Sequence, residues 1–157
     1  MPGSGINVGD HRCQSWLILE AYRNGRQITA LGPGVEFVTD EIVVFGEQKH
    51  VCDILALRQS DGREVPVLIE LKSSREMKRL VEQLGVADLI DAEAGRIEQR
   101  FSATLGREVG FGGPCERWLL WSMLPGRDDA PQAVELAELG IVPVGYRLLG
   151  RIFRVFR

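Results

Sequence analysis

The chain has 157 residues, 45% of them hydrophobic and 26% charged, with a net charge of −3. This length and composition suit one soluble domain with its own core, and they argue against indiscriminate binding to nucleic acid. No apolar run approaches a membrane span, MPGSGINVGD carries no basic-then-apolar signal pattern, and three widely spaced cysteines (Cys13, Cys52, Cys115) suit a reduced, cytoplasmic compartment.

In chain order, residues 1–9 read as a flexible start. A helix is expected over 10–24, with Asp10 as N-cap and Gly25 as stop. LGPG makes a turn, and two short strands follow over 35–38 and 41–45. Strands are expected over 49–58 and 65–72. A helix covers 74–93, with Ser73 and Glu76 as its capping box, and a second helical piece runs to about 105. After the GFGGP loop, RWLLWSML reads as a strand buried on both faces, with Trp118 and Trp121 in the core. PQAVELAELG is a short helix, and strands over 141–148 and 151–156 end the chain. The fold class is therefore α/β: a single domain with a mixed central β-sheet flanked by helices.

Charges interrupt the apolar strands in VCDILALRQSDGREVPVLIELKSS, residues 51–74. Asp53 lies in the first strand; Glu70 and Lys72 lie in the second. Core strands rarely carry such groups unless they are paired or bind a metal. Asp61-Gly62 is a strong two-residue hairpin signal. With those residues as the loop, Ser60 faces Arg63 and, counting back, Asp53 faces Glu70. Opposed residues share a face, and Lys72, two positions on, shares it too. Pro66, which cannot donate a ladder bond, signals an edge or an irregularity. Two adjacent carboxylates repel when ionised, and a hard divalent cation relieves the repulsion. Mg²⁺ or Mn²⁺ held by Asp53 and Glu70, with Lys72 beside it, suits hydrolysis of a phosphodiester. The same three residues also fit a structural ion-pair cluster.

The pattern resembles the PD-(D/E)xK nuclease superfamily, in which an acidic residue on one strand precedes Glu-x-Lys on the next. Here the matching residues are Cys52-Asp53, with Cys52 where that superfamily often has proline, and Glu70-Leu71-Lys72. The resemblance spans roughly residues 10–123 and implies a restriction-endonuclease-like αβββαβ core. It implies metal ligation by Asp53, Glu70 and the Leu71 carbonyl, with catalytic roles for Lys72, for Gln83 of VEQL and for Glu20 of LILEAY. It also implies a nucleic-acid substrate, DNA in the first place.

Gripping a polyanion needs cations, and Arg75, Lys78 and Arg79 open the helix that follows Lys72. The tail RLLGRIFRVFR adds four arginines and no acid. The function expected is that of a Mg²⁺-dependent endonuclease, an arrangement compatible with a homodimer. A catalytically inactive nucleic-acid-binding or protein-interaction module of the same fold is the alternative. No His-Cys or His-Ser arrangement suggests nucleophilic catalysis. His11, Cys13 and Cys115 match no standard zinc spacing.

Overall fold

The computed structural model describes residues 8–45, 48–72, 80, 84–122, 130–149 and 152–156. Helix α1 (Val8–Arg23) leads into a 3₁₀ turn (Thr29–Leu31) and then into strands β1 (Val35–Phe45), β2 (Gln48–Ser60) and β3 (Arg63–Lys72). Helices α2 (Val86–Ala92) and α3 (Ala94–Leu105), strand β4 (Glu116–Ser122), helix α4 (Ala130–Glu138), and strands β5 (Ile141–Leu149) and β6 (Ile152–Phe156) complete the described chain. None of the described helices is long and apolar enough to cross a membrane.

The described strands form one mixed sheet in sequence order, β1 to β6. β3, β4 and β5 run parallel; the remaining neighbours are antiparallel. α1 covers one face. Cys13, Leu17 and Ala21, four residues apart, lie in a cluster with Ile54, Ala56, Val67, Ile69, Leu71, Trp118 and Leu120. On the opposite face Leu84, Ala87, Ile90, Ile97, Phe101 and Leu136 pack with Leu55, Leu57, Leu68, Leu119 and Trp121. The alternation along β3 and β4 thus divides between two cores, as strands buried on both sides must. Trp118 and Trp121 are both buried, one in each core.

Several boundaries differ from those expected. α1 is already helical at Val8, so Asp10 lies inside it rather than capping it. The two short strands expected after LGPG are one strand, β1, bent at Val38: Phe37 pairs with Ala56 and Thr39 with Leu55, leaving Val38 without a partner. The Arg26 guanidinium donates to the carbonyls of Phe37 and Val38 and braces this irregularity. The helix expected over 74–93 is interrupted at Gly85, after which α2 runs on, while the second helical piece expected to about 105 is α3, which starts after a break at Glu93 (φ −109°, ψ 25°). The opening turn of the 74–93 stretch, including Ser73 and Glu76, lies outside the described residues; of the flexible start expected for 1–9, residues 1–7 lie outside them too, and Val8 and Gly9 are already helical.

The hairpin forms as its sequence dictates. Asp61 and Gly62 both have left-handed backbones (φ 52° and 75°), which a two-residue hairpin of type I′ requires. The register then runs without slip from Ser60–Arg63 to Ile54–Ile69. Pro66 pairs across from Leu57, and pairing of β3 with β4 begins only at Val67. The proline therefore sits where that flank of β3 is not yet joined to β4. A Cβ at Gly62 would meet nothing within 4 Å, so its substitution is penalised through the backbone alone. Gly62→Ala should destabilise the fold by about 1–2 kcal/mol. Thermal unfolding checks this as a Tm lower by roughly 2–8 °C for a chain of this size.

Candidate metal-binding carboxylate site

The site grows out of a second irregularity, in β2. Asp40 pairs with Ile54 and Glu41 with Cys52, so Asp53 is an extra residue with no partner on β1. Such a bulge turns the strand and re-aims a side chain, and bulges recur beside functional sites. It also explains the burial pattern. Cys52 belongs to one core and Ile54 to the other, although a regular strand would put both on the same face.

The bulge falls one step beyond the last laddered pair of β2 and β3, Ile54–Ile69. There the Asp53 side chain takes over from the backbone: its Oδ2 accepts the Leu71 N–H at 2.7 Å. On the other side of the bulge, the Gln14 side chain on α1 donates from Nε2 to the Asp53 carbonyl at 2.9 Å. Asp53 is thus held at both ends, through its backbone and through its carboxylate.

Glu70 follows Ile69 on β3 and is 2% exposed. Its Oε1 is buried with no hydrogen-bond partner. Burial pushes the Glu70 carboxyl well above the ordinary carboxylate range. The neighbouring Asp53 charge and a side-chain hydrogen bond with Asp53 raise it further, while Lys72 and the Asp53 backbone pull it down only in part. Without a cation, then, Glu70 holds its proton more tightly than an ordinary glutamate does. Lys72, half-buried at the end of β3, is the cation of the group.

Asp53 and Glu70 thus lie close enough to interact, and the Lys72 charge reaches Glu70. These residues lie at the ends of β2 and β3, and β3 is flanked by β2 and β4. Glu20 is not brought to the trio. Its Oε1 accepts from the Thr29 hydroxyl and the Ala30 N–H, which ties α1 to the 3₁₀ turn. Gln83, Arg75, Lys78 and Arg79 lie outside the described residues, and so do the side chains of the basic tail beyond Arg147. Gln14 is the residue that the sequence reading missed. Its one signal is a polar side chain on the buried stripe of Cys13, Leu17 and Ala21.

The donor set suits a small, hard cation. A buried, unpartnered carboxyl oxygen next to a second carboxylate is costly alone and well matched to Mg²⁺, which commonly takes one or two protein carboxylates and fills its shell with water and phosphate oxygens. Among the described residues no group of three or more His, Cys, Asp or Glu gathers to form a closed protein cage. Cys52 is not a ligand in waiting: burial, then the charges of Glu70, Asp53 and Asp40, push its thiol up and keep it neutral. Cys13 and Cys115 lie in different cores, so the sheet separates them and they cannot share a zinc ion. In comparisons with known proteins, no family model and no curated protein sequence matches this chain.

Proposed function

We propose that the chain is a Mg²⁺-dependent nuclease that hydrolyses phosphodiester bonds, with DNA as the substrate class. The observation that carries this reading is the buried Glu70 carboxyl, one oxygen without a partner, set against the bulged Asp53 and beside Lys72. The element order α1, β1, β2, β3, two helices, β4 supports it, since PD-(D/E)xK nucleases place these residue types on the second and third strands of such a series.

In this reading Asp53 and Glu70 hold the cation, with the Leu71 carbonyl as a further ligand. When bound, the ion supplies Lewis-acid stabilisation of the phosphate and lowers the pKa of a water. Lys72 orients the attacking water and offsets charge on the phosphate. Gln83 positions that water or the lysine, and Arg75, Lys78 and Arg79 grip neighbouring phosphates. Closing the cation site requires Glu70 to give up its proton, so binding couples to pH.

The test is incubation of the purified protein with supercoiled plasmid, single-stranded, branched and RNA substrates, with Mg²⁺ or Mn²⁺ and with EDTA. Cleavage of at least one DNA substrate with metal, and none with EDTA, is the expected result. A protein that binds Mn²⁺ but cleaves nothing would be a binding module of the same architecture. A protein that binds no Mn²⁺ would leave Asp53, Glu70 and Lys72 as an ion-pair cluster.

A further inference from the structure

We infer that Gln14 is a positioning residue for the carboxylate pair, acting through the backbone of Asp53. The inference rests on the proposed cation site and names how the fold holds it in shape. Gln14 is 8% exposed, and its amide is spent on one long-range contact, to the Asp53 carbonyl 39 residues away. That carbonyl belongs to the one residue of β2 that has no partner on β1 at this point.

A bulge loosens a strand locally, because an extra residue has no ladder of its own. Here the two anchors that replace the ladder are side-chain contacts. Gln14 fixes the backbone of Asp53 from the α1 side, and the Asp53 carboxylate fixes the Leu71 N–H on β3. Leu71 lies between Glu70 and Lys72. A chain of two hydrogen bonds therefore runs from α1, through the bulge, to the strand segment that carries both other members of the trio. Removing the first bond frees Asp53 to rotate away from Leu71 and from Glu70. Outer contacts of this kind orient metal ligands, and their loss typically lowers metal affinity about 10–100-fold. Leu17, one turn along the same buried stripe, has no such contact and serves as the purely structural comparison.

The experiment compares wild type, Gln14→Leu and Leu17→Ala by two measurements on folded protein: amide hydrogen exchange at Leu71, with Ile69 as internal reference, and Mn²⁺ binding by calorimetry. Gln14→Leu should speed Leu71 exchange relative to Ile69 and weaken Mn²⁺ binding about 10–100-fold. Leu17→Ala should lower Tm and change neither. Gln14→Met, of similar length but without the amide donor, repeats the test should Gln14→Leu fold poorly. A glutamine variant with wild-type Leu71 protection, or with wild-type Mn²⁺ affinity, overturns the inference. The two readings fail separately. If the wild type binds no Mn²⁺, the cation site is wrong; Leu71 exchange then still decides whether Gln14 sets Asp53, with unchanged protection rejecting that role.

Discussion

Lys72→Ala is expected to lower metal-dependent cleavage by roughly 10²–10⁴, the effect of losing a positioned catalytic group, while leaving Mn²⁺ binding nearly intact. The forces acting on Glu70 decide this outcome. Burial and Asp53 raise its carboxyl, and Lys72 offsets them only in part. The lysine therefore does not by itself offset the cost of burying Glu70. Removing a half-buried ammonium that offsets only part of this effect should cost the fold little. Lys72→Arg should not restore cleavage, because a planar guanidinium does not replace a compact ammonium beside a metal. A structural ion-pair cluster would reverse both outcomes: Lys72→Ala would lower Tm, and there would be no metal-dependent activity to lose. Melting and cleavage measured on the same sample separate the two.

The second large effect is the coupling of cation, pH and stability. Saturating Mn²⁺ at about 100 times its Kd should stabilise the wild type by about 2.7 kcal/mol. For a chain of this size that is a rise in Tm of roughly 5–10 °C. Asp53→Asn with Glu70→Gln should abolish the rise. The pH dependence follows from the raised Glu70 carboxyl. At low pH both the folded and unfolded states hold the proton, and the pair's contribution to stability is fully present. As pH rises from the ordinary carboxylate range towards the raised folded value, the unfolded chain loses that proton first, so metal-free stability falls. Glu70→Gln removes this slope and should leave the metal-free protein at least as stable as wild type near neutrality. The gain from Mn²⁺ should move the opposite way and grow with pH, because the ion competes with the proton on Glu70. Thermal melts across pH, with and without Mn²⁺, measure both trends.

How much of this was legible beforehand depends on the range of the interaction concerned. Asp61-Gly62 is a local signal, and it set the β2–β3 register down to Ile54–Ile69 without help from the rest of the fold. That register was enough to bring Asp53 and Glu70 together. The bulge at Asp53 was not readable, because it arises from pairing with β1, and nothing in VCDIL says which residue β1 will skip. The place of β3 between β2 and β4 was not readable for the same reason: it depends on pairing with β4, a strand distant in sequence. Glu20 was misread because helical position alone does not say what a carboxylate will meet, and here Thr29 and Ala30 fold back onto it. Gln14 was overlooked although its place was informative: an amide inside an apolar stripe needs a partner, and Asp53 supplies the acceptor.

The central claim is that Asp53 and Glu70 hold one divalent cation. Anomalous diffraction from a crystal soaked in Mn²⁺ tests it most directly. The account predicts a single strong peak in contact with a carboxylate oxygen of Asp53 and with the now unpartnered Oε1 of Glu70, at about 2.1 Å and within ~0.2 Å of that value. A peak elsewhere on the molecule, or a soaked crystal with Glu70 still hydrogen-bonded to Asp53 and no peak between them, would contradict it.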